Sequence, residues 1–404
     1  MSLAGLAHGA PKTLEIVPGE KAINSPYAPL RFQASLDGVR AIALLMMLVV
    51  HCALFKPSGP WTAVATQLVN TLWFCMDIFF ALSGYLITRI LLGSDGSSRQ
   101  YQNFFARRAL RIVPAYVLTL LFIFFVVPNF VTPQQAIQPG ERPFFVLYLQ
   151  NWLFANELRT FRGVDHLWSV AVEEQFYLAW ALVMMWSPRR LFPVICAAFV
   201  ATAVALKLGA LVADIPGIYI YWGTPTRMDA FALGSWVGWR RSNRLPGLGP
   251  GASYAVMMSA LAVIALQKFF WATWLTVNTA VVTTTIAGAV FGAAWIDRLT
   301  QDSELGIRHR WLEVSGLQWL ATRSYAIYLI HYPLFPLVAY AMALALPDLH
   351  EGGNLHRLVN GLVAVAIALV LSEWIHRWIE KPALSLKRYF QDERAPARAS
   401  PEAA

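Results

Sequence analysis

Apolar residues in this chain come in blocks of about twenty rather than in alternation with polar ones, and short charged stretches separate the blocks. Blocks near 36–55, 68–92, 112–131, 167–187, 191–213, 252–270, 272–296, 320–346 and 357–379 are long enough, at about 1.5 Å of rise per residue, to cross a hydrocarbon layer of roughly 30 Å. A weaker one lies near 226–240. The pattern predicts an all-α, polytopic integral membrane helix bundle of about ten transmembrane helices. A shorter aromatic run, RPFFVLYLQNWLF at 142–154, cannot span and is expected to lie as a re-entrant or interfacial helix. Residues 1–35 hold four prolines and two lysines but no apolar core, so no cleavable signal peptide is expected and the first block directs insertion. Residues 391–404 read as a disordered cytoplasmic tail, which leaves 36–390 as one membrane domain. No internal repeat and no matched pair of broken spans is visible.

Charge then orients the bundle. Connections on one side hold Arg99, Arg107, Arg108 and Arg111, then Arg189 and Arg190, Arg240, Arg241 and Arg244, Arg298, Arg308 and Arg310, and Lys387 and Arg388. On the other side, Lys56 stands nearly alone, and Arg142, Arg159 and Arg162 are balanced by Glu141, Glu157 and Asp165. Cytoplasmic loops are the richer in Lys and Arg, so both termini are predicted to be cytoplasmic and the 132–166 connection to lie outside. Composition agrees: 57% of residues are hydrophobic and 14% charged, with a mean hydropathy of +0.50, well beyond a soluble average. The net charge of +9 sits in short loop clusters rather than one surface, so nucleic acid is excluded as a partner. Cys52, Cys75 and Cys196 fall in apolar blocks without paired spacing, which indicates neither disulfides nor a zinc site.

The polar residues inside the blocks are the candidate chemistry. Arg40 and His51 interrupt the first block eleven positions apart, almost three helical turns, so both project from one face about 16 Å apart. Arg40 alone fits an interfacial anchor as well as a functional group. His51 lies past the midplane, where an ionisable side chain is costly and faces the bundle interior. Glu173 and Glu174 lie about two turns inward from His166, near the depth expected of His51. A carboxylate that binds one imidazole nitrogen fixes the tautomer and raises the basicity of the other, so His51 with Glu173 or Glu174 is a candidate general base for a hydroxyl. Asp77, Arg227 and Asp229 enter from the same side, and the last two read either as a buried ion pair or as site residues. His331, beside Pro333, reads as structural or catalytic. At the opposite edge, FFARRALRIVPAY sets Arg108 and Arg111 on one helix face. Pro114 is expected to close the turn that begins the third helix, so the helix dipole would add to the positive potential there. A phosphate would satisfy it, and plain topological anchoring is the other reading.

With these residues in view, the chain resembles the membrane-bound acyltransferase-3 family over about residues 34–390. The carriers are LDGVRAIALLMMLVVH, with Arg40 and His51 separated by ten residues, the Arg-x-x-Arg at Arg108 and Arg111, and HLWSVAVEEQFYL at 166–178. RMDAFALG, SYAIYLIHYPL and IEKP follow in the family's order. The resemblance implies an O-acyltransferase of about ten helices in the bacterial inner (cytoplasmic) membrane. It implies cytoplasmic acyl-CoA, acetyl-CoA in the simplest case, as co-substrate, no metal, and a hydroxyl of a glycan, lipid-linked saccharide or glycoside as acceptor. On that pattern His51, Glu173, Glu174 and Arg40 are catalytic and Arg108 and Arg111 bind the donor. Asp77, His166, Arg227, Asp229 and His331 bind substrate or support the site. One departure is that Phe74, Cys75 and Met76 precede Asp77 where relatives carry a Gly-rich lead, which leaves the backbone there open. Some relatives carry an extra C-terminal hydrolase-like domain, which is not expected here. The buried charges alone also fit a proton-coupled secondary transporter or a non-catalytic subunit of a glycan-assembly complex.

Overall fold

The computed structural model describes residues 33–52, 58–93, 98–157, 163–270, 277–346 and 353–390. Most of the expected N-terminal segment, the expected tail, and Lys56, Arg159 and Arg162 of the charge pattern lie outside the described residues. Every regular element among the described residues is helical. The first block forms α1 (Ala34–Cys52); the second forms α2 (Pro60–Thr71) and α3 (Cys75–Leu92), joined by a tight turn at Leu72–Phe74. After them come α4 (Ser98–Phe125), the short α5 (Arg142–Val146) and α6 (Gln150–Glu157), α7 (Trp168–Trp186), α8 (Phe192–Val212), the short α9 (Gly217–Trp222) and α10 (Thr224–Ser242). The chain continues through α11 (Pro250–Phe270), α12 (Val277–Glu304), α13 (Ser315–His331), α14 (Leu334–Ala345) and α15 (Asn354–Ile375). A π-helical turn, His376–Glu380, leads into α16 (Lys381–Ser385).

Seven of these units are long and apolar enough to cross a membrane, with α2 and α3 counted as one, and the pair α13 and α14, bent by 61°, makes an eighth. The protein is a multi-pass membrane bundle. Two further helices, α7 and α10, have the length of a span at 19 residues each but carry too many polar groups to be counted by composition, Glu173 and Glu174 on one and Arg227 and Asp229 on the other. The block that looked weakest in sequence, α10, is among the most central: it packs on α3, α8 and α12. At the rim, α8, α11 and α15 turn Val194, Met258 and Val370 outward, the orientation expected of lipid-facing residues.

Small residues set the spacing of the centre. In a bilayer, helices gain little from excluding water, so close van der Waals approach has to hold them together. Gly234 and Gly238 of α10, and Gly288 and Gly292 of α12, are four apart and all face α3. A Cβ at Gly234 would sit 1.9 Å from the Ala81 carbonyl oxygen, and one at Gly84 of α3 would sit 2.0 Å from that of Phe231. The turn at Leu72–Phe74 that replaces the family's Gly-rich lead is right-handed throughout, so Phe74, Cys75 and Met76 need no glycine conformation there.

Two expectations change. Pro114 does not begin a helix: α4 runs unbroken from Ser98 through it, so Arg108 and Arg111 lie about three turns inside α4, beyond the reach of the N-terminal dipole. The 142–154 run is not one helix but two, broken where Tyr148 takes φ +55°. Buried amides tie the second piece into the bundle: Gln150 donates to the Leu167 carbonyl (2.8 Å) and Asn151 to the Trp222 carbonyl (3.1 Å) and to Thr224 (3.0 Å).

Candidate active site

A cavity of about 320 Å³ opens toward the arginine-rich ends of the helices. Five cations line it: Arg40 from α1, Arg107, Arg108 and Arg111 from α4, and Lys387 from the segment after α16. Arg40 is paired with Asp37 one turn earlier, and Arg107 donates to the Phe390 carbonyl (2.6 Å). The Arg108 guanidinium lies 3.5 Å from the centre of the Tyr177 ring. Arg111 and Lys387 have no hydrogen-bond or ion-pair partner among the described residues. Positive potential therefore comes from three separate elements brought together, and two of the charges remain available to an anion.

Glu173 and Glu174 open onto this same cavity rather than onto His51. Glu173 accepts hydrogen bonds from Ser83 and Tyr177, so it holds the tyrosine on which Arg108 rests. Neither glutamate is hydrogen-bonded to His51, which corrects the pairing expected from sequence. The reason is depth: α7 runs inward from His166, and seven residues carry Glu173 about 10 Å toward the basic end.

A second cavity, of about 440 Å³, lies at the other end of α1 and is walled by Trp73, Trp168, Tyr221, Trp222 and Tyr332 together with His51 and His166. Between the two cavities is a void of about 10 Å³, bordered by His51, Trp73, Met76, His166, Trp168 and Tyr328. That volume holds about one water. Met76 and Tyr328 also line the basic cavity, and the two histidines also line the aromatic one, so the void sits as a narrow throat between them.

Three histidines from three helical segments cluster here, His51 and His166 on the wall of the throat and His331 against both of their rings. His331 Nδ1 lies 2.8 Å from the Tyr328 carbonyl oxygen and 3.1 Å from that of Ile327. A carbonyl has no proton to give, so Nδ1 must donate, and neutral His331 is left with a lone pair on Nε2. That atom is 2.8 Å from His51 Nδ1. His51 must therefore donate from Nδ1, and its Nε2 carries the free lone pair. The same effect sought from a carboxylate, a fixed tautomer, comes here from a second imidazole anchored to backbone. His166 donates from Nε2 to the Leu329 carbonyl (3.2 Å), an acceptor whose usual helical partner four residues on is Pro333, which has no N–H.

The remaining predicted residues form two buried ion pairs, not one. Arg227 reaches Asp77 on α3 (2.7 Å) and Asp229 reaches Lys207 on α8 (2.5 Å), with all four side chains almost fully buried. Arg227 also lies 5.0 Å from the Tyr221 ring centre, 5.4 Å from Phe80 and 5.8 Å from Trp168, so it braces the wall of the aromatic cavity. Lys207 was missed in the sequence, although it is the one charged residue in the apolar run of α8. Tyr177, Tyr328 and Lys387 were missed as well, and no sequence signal separates those tyrosines from the others in the blocks.

Comparison with known proteins agrees with the motifs. A family profile described as an acyltransferase domain matches residues 33–376. The chain is 28% identical over 375 residues to the protein YrhL of Bacillus subtilis (strain 168), covering 87% of this chain and 55% of that one. It is 26% identical over 382 residues to the peptidoglycan O-acetyltransferase OatA of Listeria monocytogenes, covering 87% and 56%. To the O-acetyltransferase OatA of Staphylococcus aureus (strain NCTC 8325) it is 30% identical over 227 residues, covering 53% and 35%. It thus spans little more than half the length of the first two relatives. No solved structure matches it.

Proposed function

Since the chain belongs to the acyltransferase-3 family, we propose that it is a membrane O-acyltransferase that moves an acetyl group from cytoplasmic acetyl-CoA to a hydroxyl of a cell-envelope glycan. The chain crosses the bacterial cytoplasmic membrane ten times, α7 and α10 being the two crossings too polar to count by composition, and both termini are cytoplasmic. Acyl-CoA enters from the cytoplasm with its phosphates against Arg108, Arg111 and Lys387, and its extended arm runs up the basic cavity to Met76 and Tyr328. The sugar lies in the aromatic cavity, where ring faces suit its C–H surfaces and Asn70, Asp165, Thr284 and Thr285 of the same wall suit its hydroxyls.

At the throat, His51 Nε2 takes the acceptor's O–H proton while the oxygen attacks the thioester carbonyl carbon. The C–O bond forms, the C–S bond breaks, and the proton on His51 passes to the departing thiolate. No group in the protein needs to carry the acyl group. His331 keeps His51 in the reactive tautomer, and Glu173 acts on the donor side by holding Tyr177 beneath Arg108. The observation that carries this reading is that a cationic cavity and an aromatic cavity flank one small void lined by His51, whose Nε2 has no hydrogen-bond partner.

The test is His51→Ala in the purified full chain, with acetyl transfer and acetyl-CoA affinity measured together. Transfer is expected to fall about 10²–10⁴-fold while affinity for the donor stays near wild type. Wild-type turnover from a folded His51→Ala protein removes the base from the mechanism.

A further inference from the structure

His166 is only 3% exposed, yet its Nδ1 has no hydrogen-bond partner. A buried polar atom left unpaired costs free energy, so such an atom calls for an occupant. Its chemistry is fixed by the other side of the ring. Nε2 donates to the Leu329 carbonyl, so in the neutral imidazole Nδ1 is a lone pair that accepts a hydrogen bond and cannot give one. Pro333 makes this arrangement possible, because its missing N–H leaves Leu329 without the usual helical partner. His166 lines both the throat and the aromatic cavity, as His51 does. Its ring is 5.1 Å from His331 and 5.4 Å from Tyr332, and the His51 ring is 5.1 Å and 4.8 Å from the same two. Both imidazoles therefore border one small space, and each carries one nitrogen without a hydrogen-bond partner.

We propose that His166 is an acceptor-positioning residue: its Nδ1 accepts a hydrogen bond from a second O–H, or an N–H, of the bound sugar and so holds the neighbouring hydroxyl against His51 Nε2. The proposal rests on the transfer reaction given above and adds a requirement to it. A good acceptor has to carry two hydrogen-bond donors close together, one that reacts and one that anchors. Substituted amino sugars and unmodified sugars both meet that requirement, the first through an amide N–H and the second through a hydroxyl.

The two nitrogens of the ring can be tested apart. Gln in place of His166 keeps a donor near the Nε2 position for the Leu329 carbonyl but offers no acceptor at Nδ1; Asn keeps an acceptor near Nδ1 and gives up the bond to Leu329. Purified wild type, His166→Gln, His166→Asn and His166→Ala are compared for acetyl transfer from acetyl-CoA to chitotetraose and to cellotetraose, with acetyl-CoA affinity as a check on folding. For His166→Gln and His166→Ala, kcat/KM toward the acceptor is expected to fall about five- to tenfold, mainly through KM, with His166→Asn close to wild type. A loss toward chitotetraose alone identifies the amide N–H as the anchor, and a loss toward both identifies a hydroxyl. The opposite order, with Gln like wild type and Asn as damaged as Ala, makes His166 a structural strut and overturns the proposal, as does equal activity in all four proteins. Undiminished transfer by His51→Ala, or none by wild type to either sugar, defeats the reaction itself and the positioning role with it.

Discussion

Two backbone carbonyls, of Ile327 and Tyr328, decide which nitrogen of His51 is free to act as a base. The chain of inference runs through one proton on each ring and leaves His51 Nε2 unpartnered. At the other end of α1 the deciding feature is the lack of a partner. Arg111 makes no direct hydrogen bond or ion pair among the described residues, Glu380 acting on it only at longer range, and it faces a cavity that four other cations share. Replacing Arg111 with Ala is expected to weaken acetyl-CoA binding by about 1.5–3 kcal/mol, the worth of a charge-assisted phosphate bond, and Lys should restore only part of it because it lacks the planar fork. Isothermal titration with acetyl-CoA measures this directly; unchanged affinity in a correctly inserted variant would leave Arg111 with an anchoring role only. The buried pairs behave differently. Arg227 and Asp77 compensate each other with no exposure to solvent, so the removal of either leaves an uncompensated charge and costs more than the pair itself contributes.

Among the elements, α3 is the one the others are fitted to, and glycine spacing on α10 and α12 determines how near they come. Adding one methyl at Gly234 drives it into the Ala81 carbonyl, so Gly234→Ala is expected to cost about 1–3 kcal/mol or more. By contrast, Gly209 of α8 has nothing within 4 Å of the added Cβ. Gly209→Ala is expected to be neutral or to gain up to about 1 kcal/mol from helix propensity. Thermal unfolding of both variants in the same detergent makes the comparison, and equal melting points would show that the α3–α10 contact is not set by glycine. The bend between α13 and α14 has a use at the site as well as in the fold. Pro333 withholds an N–H from Leu329, and that carbonyl then holds His166 in place.

For the molecule as a whole, orientation and chemistry are linked, because the proposed reaction requires the cationic cavity to face the compartment that supplies the donor. Gly140 lies in the connection assigned to the outside and Gly249 in one assigned to the cytoplasm, and both have open space around them. The native Cys52, Cys75 and Cys196 are buried, so background labelling should be low. In intact cells, Gly140→Cys should react with an impermeant maleimide and Gly249→Cys should react only after lysis; the reverse result would invert the topology. The family match speaks against a proton-coupled transporter. Among the described residues the direct hydrogen-bonded path from His51 passes to His331 and ends on carbonyl oxygens.

The sequence by itself determined the helices, the membrane, the family and most of the charged residues that line the two cavities. Hydrophobic block length is a local property, and a charge inside an apolar block is costly wherever the block packs, so Arg40, His51, Asp77, Arg227 and His331 stood out before any neighbour was known. Helical periodicity gives the face on which a residue lies but not the helix that face will meet. For that reason His51 was matched with Glu173 or Glu174 instead of His331, which is 280 positions away. For the same reason Arg227 and Asp229 looked like partners when each instead reaches a different helix, α3 or α8. The helix dipole expected to add to Arg108 and Arg111 plays no part, and the further charges come from the packing of α1, α4 and the residues after α16. Tertiary structure decided these pairings because a buried charge or imidazole is satisfied by whatever the fold brings within about 3 Å of it, and that distance is set by helix packing rather than by spacing along the chain.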